Sequence, residues 1–153
     1  ASSVIALFED TIERMVALAA LMPIVAGVGG NAGTQTLAVT VRALATNQLT
    51  SSNTWRSIGR ELRIALLNGG TVATVIGVGV SLVFQNPQLG AVIAAAMMTN
   101  ILTAGLAGVA VPLALDRVNQ DPAVASSVFV TMLTDSMGFF AFLGLATAAG
   151  LAS

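Results

Sequence analysis

Residues 64–115 read IALLNGGTVATVIGVGVSLVFQNPQLGAVIAAAMMTNILTAGLAGVAVPLAL, without one charged side chain. A helix needs about 20 predominantly apolar residues to cross a bilayer, so this stretch is long enough for two crossings. Its middle supplies the break. Gln85-Asn86-Pro87-Gln88 is a turn signal followed by a helix start, with Asn86 as N-cap and Pro87 in the first turn. The apolar residues run continuously instead of alternating with polar ones, which argues against a membrane β-barrel.

The rest of the chain follows the same pattern. Of 153 residues, 56% are apolar and 8% charged, with a mean hydropathy of +0.89. A soluble domain carries about a quarter charged residues, so this surface does not face water all round. The class is all-α, a polytopic transmembrane helix bundle. Charges at Glu9–Arg14, Arg42, Arg56–Arg63 and Asp116–Asp121 punctuate it into four full helices, expected at about 12–45, 54–84, 87–115 and 122–151. Residues 1–11 are too short to span and read as the tail of a truncated first helix. Their acidic neighbours Glu9 and Asp10 argue against a signal peptide. Residues 1–153 are thus expected to form one transmembrane domain.

The missing residue types exclude much chemistry. There is no His, Cys, Lys or Tyr, which removes Cys/His zinc sites, disulfides and Ser-His catalysis. All six basic residues are Arg and the net charge is -1, so no nucleic-acid footprint exists. Nothing here reads as an enzyme. The connection from Arg42 to Arg63 holds four Arg against one Glu, and arginine bias places residues 42–63 on the cytoplasmic side of the cell inner (plasma) membrane. Trp55 beside Arg56 suits an interfacial anchor, and the arginines suit anionic lipid headgroups.

Three features inside the apolar zone stand out. In Gly27-Val28-Gly29-Gly30-Asn31-Ala32-Gly33-Thr34-Gln35-Thr36, Gly27, Gly30, Asn31 and Thr34 share one helix face. Glycines there serve either close helix packing or exposure of backbone carbonyls, hard oxygen ligands that suit Mg²⁺ or Ca²⁺. Asp135 is the second feature. It lies roughly 20 Å along its helix from Asp121 at about 1.5 Å per residue, at a depth where a charge costs on the order of 3 kcal/mol. Ser127, Thr131, Thr134 and Gly138 form a small polar stripe around it. The third is Asn68-Gly69-Gly70-Thr71 with Thr74, and Thr99-Asn100-Thr103 with Gly105 and Gly108, read as packing and interhelical hydrogen bonding. Small residues four apart (Gly29/Gly33, Gly144/Ala148, Ala146/Gly150) permit a homodimer seam.

The stretch Pro23–Thr36, with Asp121-Pro122-Ala123 and Thr134-Asp135-Ser136-Met137-Gly138-Phe139-Phe140, resembles the membrane domain of the MgtE magnesium channel family over essentially the whole chain. The resemblance implies a homodimer of five-helix subunits with the pore on the two-fold axis, lined by the first and last full spans seen here. It implies Mg²⁺ as the transported and bound ion, with no cofactor. It also implies cytoplasmic N-terminal and CBS regulatory domains ahead of the membrane part, absent from these residues. Carried over by position, the ion site falls on Asp135 with backbone oxygens of Gly27 and Gly30. Asn31 and Thr34 belong to the matched motif, whereas Thr131 and Gly138 come from stripe geometry.

Other mechanisms compete. An intramembrane aspartyl protease needs two Asp, and one chain offers only Asp135. A proton-coupled carrier titrating Asp135 is the nearer rival. An inactive structural membrane fragment is the third.

Overall fold

The computed structural model describes residues 1–47 and 53–152, so the centre of the expected cytoplasmic connection, residues 48–52, lies outside the described residues. Among the described residues there are helices and no strands: α1 (Ser2–Leu7), α2 (Glu9–Arg14), α3 (Val16–Ala45), α4 (Thr54–Val83), α5 (Pro87–Arg117) and α6 (Pro122–Ala148). The last four are each long and apolar enough to cross a membrane. This is a multi-pass membrane protein of all-α class.

The helix starts follow local chemistry. Asn86 accepts from the Leu89 N–H at 3.1 Å and Asp121 from the Ala123 N–H at 2.9 Å, each followed by a proline at the first helical turn. The first span begins at Val16 rather than near residue 12, because Met15 adopts φ -140° and ψ 85°. Ahead of it, residues 1–14 form two short helices and fold back onto α6. Phe8 meets Phe140 edge to face, with centroids 6.1 Å apart, and the Thr11 and Thr147 hydroxyls are hydrogen-bonded at 3.0 Å.

The helix ends share one device. Asn47, Gln85, Asn119 and Gly150 follow the four spans in the left-handed region, with φ of 55°, 51°, 59° and 71°. At the end of α6 the Gly150 N–H bonds Thr147 O at 3.0 Å and the Leu151 N–H bonds Ala146 O at 3.1 Å. That pair is a Schellman motif, and glycine adopts the left-handed conformation without steric cost. So α6 stops at Ala148 rather than 151, and Gly150 acts as a helix terminator. The Ala146/Gly150 spacing is therefore not a packing seam within the helix.

The central helix is α5. It packs against α3, α4 and α6, while α3 and α6 also pack on each other. In its most apolar stretch 61% of the residues are buried, against 22% for α4. The core at α5 is built from Leu89, Ile93 and Met97, with Leu18 and Val25 of α3 and Phe142 and Leu143 of α6. Outward faces stay apolar (Leu67, Val75, Val128 and Met132 are exposed), as a lipid-facing surface requires. Because α4 packs almost entirely on α5, a cleft opens between α3 and α4.

Candidate ion site

Asn100 marks the point where α3, α5 and α6 cross. It is fully buried, and its Nδ2 donates to Val25 O of α3 at 2.9 Å. Its Oδ1 has no partner among the described residues. Two glycines make room for it. A Cβ on Gly29 would overlap the Asn100 amide, and a Cβ on Gly138 of α6 would stand 2.6 Å from Asn100 Nδ2. Gly33 likewise receives Val130 of α6, whose Cγ1 would lie 2.7 Å from an added Cβ. The Gly29/Gly33 pair therefore packs inside the chain and is not available as the seam between subunits that its spacing suggested.

This packing sorts the motif residues. With Gly29 and Gly33 turned inward, Gly27, Asn31 and Thr34 are exposed and Gly30 is half-buried. Nothing lies within 4 Å of where a Gly27 Cβ would stand, and an added Gly30 Cβ would lie 4.0 Å from Thr134 Oγ1. Gly30 is thus level with the residue that precedes Asp135. Thr34 Oγ1 donates to Gly30 O at 2.8 Å. That carbonyl also accepts the ordinary helix bond from the N–H four residues on, so both its lone pairs are occupied. The Gly27 carbonyl has only the helix bond, and the Thr34 hydroxyl keeps its acceptor capacity.

On α6, Thr134 and Gly138 face inward, whereas Thr131 is exposed. Thr134 Oγ1 donates to Thr131 O at 3.1 Å. Asp135 is half-buried and forms no hydrogen bond or ion pair with any described residue. A carboxylate at this depth is stable only beside water, a cation or a partner group. Gly138 does not join it at the surface, since its place is against Asn100.

Asn31 faces elsewhere as well. It lines the α3–α4 cleft, a space of about 260 Å³ shared with Gln35, Glu61 and Asn68 and floored by Ile101 and Gly105 of α5. No residue of α6 reaches it. None of these four polar side chains hydrogen-bonds to a described residue. Buried in hydrocarbon, each would cost several kcal/mol, so the cleft is a wet one. Gln35 and Asn68 stood out in the sequence, but Asn68 was expected to bond across helices and instead faces this cleft with no partner among the described residues; only Glu61 was not connected with it. The signal was the i, i+4 spacing of Asn31 and Gln35 and the isolation of Asn68 in an apolar span.

Of the middle-helix polar residues expected to bond across helices, Asn100 does so. Thr99 and Thr103 bond back to their own helix at Ala95 O and Thr99 O.

Comparison with known proteins adds the family. A family model described as a divalent cation transporter, MgtE, matches residues 22–145. The chain belongs to the MgtE family. The magnesium transporter MgtE of Bacillus subtilis is 36% identical over 147 residues, which is 95% of this chain and 32% of that protein. The Enterococcus faecalis transporter of the same name is 36% identical over 146 residues, again 95% and 32%. That of Thermus thermophilus is 33% identical over 145, with the same shares. The chain spans about a third of the length of these curated relatives. Every MgtE motif residue discussed above, from Gly27 to Gly138, falls within the matched segment.

Proposed function

We propose that this chain is the membrane part of a Mg²⁺ channel or transporter, a homodimer whose Asp135 carboxylates face one another across the two-fold axis and hold a hydrated Mg²⁺. The observation that carries this is Asp135 itself, a half-buried, unpartnered carboxylate on an otherwise uncharged span. Mg²⁺ dehydrates reluctantly and keeps an octahedral shell. Its bound waters are hydrogen-bond donors, so the wall of the path must supply acceptors. Asp135, the Gly27 carbonyl and the Thr34 hydroxyl are acceptors. Gly30 contributes through Thr34, whose hydroxyl it orients. Thr131 extends the polar lining, Gly138 acts at one remove by seating Asn100, and Asn31, expected on the path, faces the α3–α4 cleft instead.

Two carboxylates in a low-dielectric wall attract a doubly charged ion by several kcal/mol even at an effective dielectric of about 20. No covalent step and no resident cofactor is involved, and Mg²⁺ is cargo. The membrane is the cell inner (plasma) membrane, with residues 42–63 cytoplasmic, the side on which the regulatory domains implied by the family resemblance would meet the pore.

The test is flux into liposomes with separate dyes and gradients for Mg²⁺ and H⁺, comparing wild type with Asp135→Asn. Wild type carries Mg²⁺ without a proton gradient, and the variant loses at least roughly a hundredfold in apparent Mg²⁺ affinity, a difference of about 2.7 kcal/mol. Mg²⁺ also raises the melting temperature of wild type far more than that of the variant. Equal flux and equal stabilisation in the two proteins remove Asp135 from the ion site. Uptake that requires a proton gradient assigns Asp135 to proton coupling.

A further inference from the structure

Beyond the wet cleft, at the arginine-rich ends of α3 and α4, lies a second hollow of about 370 Å³. Val39, Thr40 and Arg42 line it from α3, and Ser57, Arg60 and Glu61 from α4. One guanidinium thus comes from each wall. Neither Arg42 nor Arg60 pairs with or donates to any described residue, although Glu61 lines the same space. Both guanidiniums are exposed, so an anion entering the hollow meets two forks that no described side chain occupies. A phosphodiester fits, since the planar guanidinium fork binds phosphate oxygens in pairs and two forks can hold one group.

The level of the hollow identifies the source of that anion. Trp55, 80% exposed, stands in the first turn of α4, at the same end of the helix as Ser57, and an exposed indole at a helix end marks the headgroup zone. Val39, which lines the hollow on the side towards the bilayer centre, is 51% exposed and offers an apolar surface for acyl chains. Basic pockets between transmembrane helices at this level take anionic lipid headgroups. A zwitterionic lipid brings its own cation next to two arginines and is disfavoured. We propose that the Arg42–Arg60 hollow binds an anionic phospholipid, with the phosphodiester between the two guanidiniums and the chains leaving along Val39. Glu61 opposes the phosphate and sets the affinity below its maximum. The ligand thereby joins the free edges of α3 and α4, the two spans that the bundle itself leaves apart.

The site is tested by the melting temperature of the whole chain in a neutral detergent, titrated with phosphatidylglycerol, phosphatidylcholine or soluble glycerol 3-phosphate. This readout is independent of ion transport, so it stands or falls separately from the function proposed above. Phosphatidylglycerol raises the melting temperature of wild type, and the other two do not. Arg42→Gln and Arg60→Gln each raise the lipid concentration for half-effect by about fivefold, and the double variant by roughly 25-fold, from about 1 kcal/mol per arginine at a membrane surface. Glu61→Gln lowers that concentration, and Arg42→Lys with Arg60→Lys keeps most of the response. Because these side chains make no contact that holds the fold, the lipid-free melting temperature stays unchanged. A phosphatidylglycerol response that survives in the double Gln variant, an equal response to phosphatidylcholine, or an equal loss on Arg117→Gln overturns the proposal. A response to glycerol 3-phosphate alone overturns the lipid and leaves a soluble phosphate site.

Discussion

Asn100 and Asp135 differ by little in sequence terms, each a short polar side chain deep in an apolar span. The fold treats them in opposite ways. Asn100 is fully buried where three helices cross, held by a hydrogen bond to Val25 O and flanked by Gly29 and Gly138. Asp135 is half-exposed on the outside of the same bundle with no partner in the chain. The difference follows from charge and donor capacity. An amide can donate to a helix carbonyl that already has its own bond, and interhelical bonds of this kind contribute about 0.6–1.7 kcal/mol in membranes. A carboxylate can only accept when ionised, and no described arginine lies against it. Polar residues in apolar spans thus divide into those that hold the bundle and those left for something outside it.

Exchanging the two chemistries is the most severe way to break this contrast. Asn100→Asp places a carboxylate at a fully buried helix crossing with no arginine beside it among the described residues, at a cost of roughly 3–5 kcal/mol. Asp135→Asn changes stability without Mg²⁺ by under about 0.5 kcal/mol. Denaturation in detergent micelles checks both, and a stable Asn100→Asp with an unfolded Asp135→Asn reverses the assignment. A smaller effect is expected at Gly29. Gly29→Ala forces a methyl group onto the Asn100 amide and destabilises by about 1–3 kcal/mol. Adding Asn100→Ala opens the space and recovers part of that loss, so the two changes are markedly non-additive. Strict additivity in the same denaturation measurement rules out the contact. The mildest change sharpens the contrast within one motif. Gly27→Ala meets open space and leaves stability unchanged or raises it by up to about 1 kcal/mol. Its methyl group crowds the neighbouring carbonyl, so Mg²⁺-dependent stabilisation falls while the protein stays folded. A Gly27→Ala protein with less intrinsic stability than wild type would show that Gly27 packs as Gly29 does.

The spans were legible because a bilayer imposes a length and forbids charge. Both breaks around α5 were readable from Asn86-Pro87 and Asp121-Pro122, and Asp135 stood out as a lone carboxylate. The role of Gly150 was not, because a glycine near a helix end reads equally as packing or as a terminator until its φ is known. Helical spacing put Gly27 and Gly30 on one face and Gly29 and Gly33 on another, but did not decide which of the two turns inward. Their division into inward and outward sets depends on the rotation of α3 about its own axis, which hydropathy does not encode when both faces are apolar.

The sequence by itself therefore determined the solvent, the number of long helices, their ends to within a few residues and the identity of the one isolated charge, because these depend on local composition and on the thickness of hydrocarbon. Tertiary structure alone decided that α5 is central, that Asn100 rather than Asn68 bonds across helices, and that α4 stands away from α3 to open a polar cleft with two arginines at its mouth. In lipid there is no hydrophobic drive to choose which apolar face turns inward. That choice falls to close contacts between particular side chains, such as an asparagine between two glycines, and these exist only once the helices have met.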